Sequence, residues 1–580
     1  MPPAVPVSLV ERLQINAACN SHGFTFVSGN RCETETFVSA ARLRDSVARA
    51  ANNLCARGVR KGNLVALIVP DAQEFVIGFL AAVWAGAVPV PLYPPVGFGK
   101  QQAYLNYVIG LIDAAGVDAL IIPEWLDGVL GLGQRFRAQN KAVAHADALD
   151  AGEELLDPVE RGPDQPVFLQ FTSGSTGKPK AVVVNGSSLW ANSKSFVTAL
   201  GCTEQDHGVS WLPLYHDLGL VGKVLAPLLF SVAVTFVPTM SFLGDPGVWL
   251  DVISRKRATL SFAPNFAFAL TAKKARQRDQ AWDLSSMRVF GCGAEPINAD
   301  TLDLFIDTFT PYGLRSESVV PAYGMAEATL GITFDRIDRR FTRLRASADS
   351  YHASGEIKAP VGDEETLSFV NCGRALEGHS LRIVDDQGVD LPPGRVGDVE
   401  LRGPSLAAGY YDNQAATDAT FRADGWLVTG DRGFIVEGDL YVTGRKKDVL
   451  IVNGRNYDPQ HVEWAAADVP GIRKGNVVAF SIPGDATERV VVVAECADFA
   501  DDLHQQVRRS VHAQTRLVID ELVLLNPGQL PKTSSGKVQR SQTRDLYLTA
   551  ALVDVTVATR THAHAGPAGD PTRGLPTESG

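Results

Sequence analysis

The chain has 580 residues, too many for a single hydrophobic core and enough for roughly two to four domains. Its 45% hydrophobic and 21% charged content is that of ordinary soluble globular protein. The net charge of −11 argues against nucleic acid or an anionic membrane as the main partner, so an anionic ligand would need a locally cationic site. The opening Met1-Pro-Pro-Ala-Val-Pro lacks the basic and long apolar regions of a signal peptide. Ser39 to Arg57 has helical periodicity with alternating charge and is stopped by Gly58. Leu64-Val-Ala-Leu-Ile-Val69 is a continuous apolar run, the pattern of a strand buried on both faces. Ala72 to Ala85 reads as a helix, Val88 to Leu92 as a strand, Ala103 to Ala115 as a helix and Ala119 to Ile122 as a strand. The most apolar stretch, Phe75 to Val90, is too short to span a bilayer and is broken by Gly86 and Pro89, so no transmembrane segment is expected.

The strand–helix rhythm returns after Leu189. Val209 to Leu212, Val232 to Val237, Leu260 to Phe262 and Arg288 to Phe290 read as strands, and Leu218 to Leu229 and Val248 to Arg255 as helices. Alternation of this kind means an α/β fold with two doubly wound, parallel sheets in one large unit. After about Leu381 the pattern becomes short strands with Gly and Pro turns, a β-rich subdomain. From Asp448 a small α+β part follows, with strands Asn476 to Ile482 and Val490 to Glu495 and a helix Asp502 to Thr515. The tail from about Thr556, rich in Ala, His, Gly, Pro and Thr, is expected to be disordered. The seven cysteines are scattered without a Cys-x-x-Cys pair, which disfavours a disulfide scaffold or structural zinc and fits a reducing, cytoplasmic setting.

One stretch stands out. Phe171-Thr-Ser-Gly-Ser-Thr-Gly-Lys-Pro-Lys180 lies between two strand-like runs, Val167 to Phe171 and Ala181 to Val184. Strand, glycine-rich turn and strand make a hairpin with a free tip. There Gly174 and Gly177 let backbone N–H groups converge, Thr172, Ser173, Ser175 and Thr176 bring hydroxyls, and Lys178 and Lys180 bring charge. Such a tip suits a polyphosphate. It is not the common P-loop, because Lys178 is followed by Pro179 and a strand rather than by Ser/Thr and a helix. A solvated surface turn is the alternative, but the tip is longer than a plain turn needs.

Further short motifs follow in order: Gly293-Ala-Glu-Pro296 after a buried strand, Tyr323-Gly-Met-Ala-Glu327, Thr429-Gly-Asp431, Gly444-Arg-Lys-Lys-Asp448, and Leu530-Pro-Lys-Thr-Ser-Ser-Gly-Lys-Val-Gln-Arg540. Together with the glycine-rich loop they resemble the adenylate-forming superfamily of acyl-CoA synthetases, nonribosomal adenylation domains and luciferases, from about Ser39 to Arg540. The resemblance implies a large N-terminal domain over residues 1–446, a small mobile α+β C-terminal domain over 447–550 that turns about a hinge at Lys447, and a tail over 551–580. It also implies ATP and Mg²⁺ as cofactors: a carboxylate attacks the α-phosphorus of ATP and pyrophosphate leaves. Catalysis is then mainly positioning and neutralisation of charge.

The resemblance assigns roles residue by residue. Thr172 to Gly177 and Lys180 would hold the β- and γ-phosphates. Gly293, Ala294 and Glu295 would form the adenine slot, with Tyr323 as stacking face beside Gly324 and Met325. Asp431 would accept the ribose hydroxyls, supported by Arg445. Glu327 would carry Mg²⁺, and Lys537 would contact the substrate carboxylate and the α-phosphate. His216, in Trp211-Leu-Pro-Leu-Tyr-His-Asp-Leu-Gly219, would flank the incoming carboxylate. Taken one at a time, Glu327 reads equally as a structural carboxylate, Thr-Gly-Asp as a turn, Lys537 as a solvated lysine and His216 as a histidine satisfied by Asp217.

Three features are similar to the fatty acyl-AMP ligase branch: Tyr215-His-Asp-Leu-Gly219, Val90-Pro-Leu-Tyr-Pro-Pro95, and an extra segment from about Thr333 to Leu367 without a long buried apolar face. Ala326 stands where many CoA ligases carry a Thr, and Arg455-Asn456 where some have His-Arg. That branch implies a fatty acid substrate and delivery of the acyl group to the phosphopantetheine arm of an acyl carrier protein in a polyketide synthase or nonribosomal peptide synthetase. In the branch, an insertion at this point disfavours the CoA-accepting arrangement. The competing readings are a fatty acyl-CoA synthetase and a non-catalytic adenylate-binding or scaffold protein.

Overall fold

The computed structural model describes residues 6–19, 22–29, 31–95, 101–172, 179–275, 281–484, 488–500, 502–532, 537–552 and 554. The expected disordered tail and the loop tip Ser173 to Lys178 lie outside the described residues, apart from the tail's first positions. The chain divides into two compact units, Met1–Lys447 and Asp448–Gly580. The division falls one residue after the boundary expected from the sequence. The turn Lys446–Asp448 is claimed from both sides. Lys446 is paired with Asp386 at 2.8 Å and Asp398 at 2.7 Å within the first unit, and Asp448 with Arg540 at 2.6 Å within the second.

The first unit holds two large sheets, as the strand–helix alternation requires. In the smaller, Val88–Pro91, Leu64–Leu67, Ala119–Ile122 and Ala142–His145 lie side by side and parallel. The larger has nine strands. Its body, from Val319–Gly324 through Val289–Cys292, Leu260–Ala263, His207–Ser210 and Ala233–Phe236 to Gly23–Ser28, is parallel. Both margins turn antiparallel, at Thr34–Ser39 on one side and at Gly331–Phe334 and Arg374–Ala375 on the other. The hairpin Gly23–Ser28/Thr34–Ser39 is not apparent in the sequence, because the outer strand is an edge whose residues Thr34 to Phe37 are exposed and show no apolar alternation.

The hairpin Pro166–Thr172/Lys180–Asn185 forms its own two-stranded sheet, paired Phe171 to Ala181 and Thr172 to Lys180. Its alternate residues enter two different cores. Phe168, Val182 and Val184 join the cluster that backs the large sheet, while Leu169 and Ala181 join the cluster around Val90 and Leu120 of the small one. Burial on both faces explains why both strands are apolar without a break.

The expected helix over Leu218 to Leu229 is present but interrupted. Asp217–Leu220 is α-helical, Val221–Leu225 is a π-turn, and Ala226–Phe230 is α-helical again. Pro227 is the cause: it has no N–H, and in an unbroken α-helix its ring would strike the carbonyl of Lys223, so the turn before it widens.

The β-rich part is an antiparallel sheet of Ser380–Val384, Gly397–Arg402, Leu427–Val436 and Asp439–Arg445. Its last two strands are joined at Glu437 (φ +53°) and Gly438 (φ +86°), the two-residue turn that matches strand twist. The segment read as an insertion from Thr333 to Leu367 needs correction on two counts. Thr333 belongs to the large sheet, is fully buried, and donates from Oγ1 to the Cys372 carbonyl at 2.7 Å. The rest of the segment holds the strands Arg343–Ser347 and Thr366–Val370 and the helix Ala348–Ser354, and it has a real core. Tyr351 packs on Phe369, Phe369 on Phe434 and Phe434 on Tyr441, with ring centroids 4.9–5.4 Å apart. Its apolar residues are spread over three short elements, so no window shows them as one face.

In the second unit Ile472–Ile482, Arg489–Cys496 and Glu521–Leu525 form a sheet, covered by the helices Pro459–Ala467 and Leu503–Thr515. All seven cysteines are free thiols. Among the described residues no helix is long and apolar enough to cross a membrane.

Candidate active site

In an open parallel sheet the carboxyl ends of the strands carry the ligand-binding loops, and the candidate residues of the first unit stand there or beside it. Gly293 follows the strand Val289–Cys292 directly. A Cβ on it would meet the Ala322 carbonyl at 2.8 Å, so only glycine allows the neighbouring strand this close. Ala294 is exposed with φ +68°. The Glu295 carboxylate turns to the start of the helix Asn265–Ala275 and accepts the Phe266 N–H at 2.5 Å, while Gly293 is buried and Ala294 is exposed.

Tyr323 and Gly324 close the neighbouring strand, and the Leu330 carbonyl leaves no room for a Cβ on Gly324. The Tyr323 hydroxyl donates to Asp431 Oδ2 at 2.6 Å. The other oxygen of Asp431 faces Arg445 Nε at 3.1 Å, across a register that pairs these two residues directly. Thr429 steadies the turn, its hydroxyl accepting the Asp431 N–H at 3.1 Å while donating to the Val399 carbonyl at 2.7 Å. Burial first, and then the Asp431 charge, push the Tyr323 phenol well above its ordinary range, so it remains a donor. Asp431 is 6% exposed yet carries two partners, an arrangement suited to accepting further donors along its rim. Met325 packs against the cluster around Leu401 and Leu427.

A second group centres on Glu327, 8% exposed. Its Oε1 accepts the Tyr410 hydroxyl at 2.8 Å, and its carbonyl accepts the Ala407 N–H at 2.9 Å. Lys180, at the root of the hairpin, lies over the Tyr410 ring at 4.6 Å from its centroid. Burial raises the Glu327 carboxyl, the Tyr410 bond and the Arg445 charge oppose the rise, and Asp217 adds to it. A buried carboxylate in this state gains from a cation beside it. Among the described residues no three His, Cys, Asp or Glu side chains converge on one point. The buried Glu327 carboxylate would fit a Mg²⁺, an ion commonly held through one or two carboxylates.

His216 precedes the helix Asp217–Leu220, with Nδ1 2.5 Å from Asp217 Oδ1. The adjoining Tyr215 holds its carbonyl against Gln170 Nε2 of the hairpin at 3.0 Å, and its ring lies 6.3 Å from that of Tyr93. Among the described residues, then, the fold joins Tyr323, Asp431 and Arg445 directly, and Glu327 with Lys180 through Tyr410. Thr172 ends its strand 3.5 Å from the Lys180 carbonyl. Ser173, Gly174, Ser175, Thr176 and Gly177 lie outside the described residues. Lys447 sits in the turn that closes the first unit. Lys537 belongs to the second unit, half-buried next to the short bridge between Lys532 and Val538. Tyr410 is the residue that sequence reading missed. Its one signal is the Gly409-Tyr-Tyr411 step after an apolar run, which nothing in the local pattern links to Glu327.

The sequence profile of the family described as AMP-binding enzyme matches residues 16–411. The chain belongs to the AMP-binding enzymes. Within this adenylate-forming superfamily it resembles the fatty acyl-AMP ligase branch. The AMP-binding chain is 36% identical, over 89% of its length and 91% of the relative's, to a Caulobacter vibrioides protein described only provisionally as an acyl-CoA synthetase. It is 29% identical to a long-chain-fatty-acid–AMP ligase of Mycolicibacterium smegmatis, over 85% of this chain and 86% of that one. Among solved structures it superposes with a TM-score of 0.87 at 32% identity on one from studies of fatty acyl-adenylate ligases from E. coli and L. pneumophila, covering 94% of this chain and 99% of that one.

Proposed function

We propose that this AMP-binding enzyme activates a fatty acid with ATP to the acyl adenylate, releasing pyrophosphate, and then passes the acyl group to the phosphopantetheine arm of an acyl carrier protein. The observation that carries the first step is the pair of polar clusters, Tyr323–Asp431–Arg445 and Glu327–Tyr410–Lys180, set beside strand ends in a chain that matches fatty acyl-adenylate ligases over nearly its whole length. In this reading Asp431 takes the ribose hydroxyls with Arg445 behind it. The turn Gly293–Glu295 with Tyr323, Gly324 and Met325 receives the adenine. Lys180 and the loop from Thr172 to Gly177 face the β- and γ-phosphates. Glu327 would hold Mg²⁺, whose charge would offset that of the phosphates. His216 flanks the acid, and Lys537 comes from the mobile second unit, about Lys447, to neutralise the α-phosphate. The enzyme works in the cytoplasm.

Delivery to a carrier protein of a polyketide or nonribosomal peptide assembly line is favoured by the resemblance to the ligase branch and by the added piece around Tyr351, which that branch carries at this point. The reading as an acyl-CoA synthetase is favoured by the description of the Caulobacter relative. The test supplies ATP, Mg²⁺ and a ladder of fatty acids with either CoA or a holo carrier protein, and follows products by mass. Acyl adenylate with acyl transfer to the carrier alone supports the proposal. Efficient acyl-CoA formation replaces it with the synthetase reading, and no pyrophosphate exchange with any acid removes both.

A further inference from the structure

Lys223 is the most unusual side chain of the first unit. It lies in the π-turn that follows His216, about two helical turns along, and is 5% exposed. Its Nζ sits over the Phe262 ring, 4.2 Å from the centroid, and among the described residues it has neither a hydrogen bond nor an ion pair. Among the described residues the one titratable neighbour whose field reaches it is Cys202, and burial pushes that thiol up to about 12, so it stays protonated and supplies no negative charge. The carboxylate beyond Cys202 is Asp206, already held by Arg288 through Nε and Nη2 at 3.0 Å and by the Thr259 hydroxyl at 2.7 Å. Burial accordingly brings Lys223 down to about 7.

Packing alone does not call for such a residue. A buried amine without a partner opposes folding, and Met or Leu would fill the same volume at lower free energy. Position indicates what it meets. Phe262 pairs in register with Gly291, and its ring occupies the space a side chain at 291 would fill, 2.1 Å from a Cβ there. The Lys223 ammonium thus lies on the sheet face that the Phe262 ring covers at Gly291, and Cys202, which precedes the strand His207–Ser210, marks the end of the sheet away from the ligand loops. His216 at one end of the helical stretch and Lys223 roughly 10 Å further in span the length of a short acyl chain.

We propose that Lys223 is a specificity-determining residue at the far end of the acid site, and that the preferred acid carries an oxygen acceptor (hydroxyl, keto or carboxylate) distal to the carboxyl group that is activated. This rests on the adenylation reading above. A lysine offers three donors and no acceptor, so it recognises oxygen and rejects a bare methyl end by being left unpaired.

The experiment compares α,ω-dicarboxylic, ω-hydroxy and unsubstituted acids of matched length in ATP–pyrophosphate exchange, with wild type, Lys223→Met and Lys223→Leu. At the best length wild type should favour a polar-ended acid by about 100-fold in kcat/KM, and both variants should invert the preference. Equal use of both acid types by wild type, or a ratio the substitutions leave unchanged, overturns the proposal. Calorimetry without ATP reads the same point independently. Above neutral pH, wild type should take up close to one proton on binding the dicarboxylic acid and none on binding the plain acid, because the distal carboxylate draws a proton onto Lys223. Absence of that difference counts against Lys223 even if neither variant folds. Should no acid support exchange while the proton uptake is present and lost in Lys223→Met, the adenylation reading fails and the polar-ended ligand stands.

Discussion

Two basic side chains drawn away from solvent, one in each unit, show how differently a fold can treat the same problem. Arg540 of the second unit is only partly buried, at 21% exposure, and fully paired. It donates to Asp448 at 2.6 Å, to Glu463 at 2.7 Å and to the Ala479 carbonyl at 2.9 Å, and burial is outweighed so that its guanidinium stays charged. Lys223 of the first unit is more deeply enclosed, at 5% exposure, and among the described residues has only an aromatic face. The paired cation is a structural joint that ties the start of its unit to the helix Pro459–Ala467 and the strand Ile472–Ile482. The unpaired one is a donor set for which the described residues supply no acceptor.

The comparison breaks first at Arg540. Arg540→Met leaves Asp448 and Glu463 without their shared partner and should destabilise the second unit by about 3–5 kcal/mol. Hydrogen exchange at the strand Ile472–Ile482, measured against the first unit, checks it; protection unchanged in the variant means the pairs contribute nothing.

Lys537, in the same stretch, sharpens the contrast because it is half-buried and in a polar loop. Lys537→Ala should leave unfolding midpoints where they were and lower the adenylation rate by about 3 kcal/mol, the loss of one transition-state charge contact. Near-normal ATP–pyrophosphate exchange in this variant would sink the role proposed for it.

The sign of the Lys223 effect is fixed by its direction of shift. Its folded value, about 7, lies below the unfolded value of about 10.4, so between them the unfolded chain binds the extra proton and stability rises with pH. From pH 7 to 9 wild type should gain roughly 2–3 kcal/mol relative to Lys223→Met, whose difference from wild type shrinks correspondingly. Parallel stability–pH curves for the two proteins would show that Lys223 is not held neutral.

The smallest effect is expected at Tyr410. Tyr410→Phe removes the hydroxyl that favours the ionised form of Glu327, so burial raises that carboxyl further. The acid limb of the activity profile should move up by about one pH unit, equivalent to about 1.4 kcal/mol. An acid limb that stays in place separates Glu327 from the titration that controls turnover.

What could be read from the residues in order was whatever the chain encodes locally. The buried strands Leu64–Leu67 and Ala119–Ile122 are continuous apolar runs because both their faces are covered, and the helix Ala40–Ala56 announces itself by a Ser39 cap and a charged face. The glycine-rich loop, Thr429-Gly-Asp431 and the lysine motif were legible as motifs, because backbone freedom and donor chemistry at short spacing leave a mark in sequence. Tertiary structure alone decided the rest. The edge strand Thr34–Ser39 carries no apolar alternation and exists through its pairing with Gly23–Ser28. The added piece acquired a core only when Tyr351 and Phe369 met Phe434 and Tyr441 from a distant hairpin. Tyr410 reaches Glu327 across 83 positions, and Lys223 meets Phe262 across separate elements. Burial and pairing at such separations are properties of the folded packing. A lysine looks the same in sequence whether it ends in water, in a salt bridge or alone beneath a strand, and only the fold assigns it one of these.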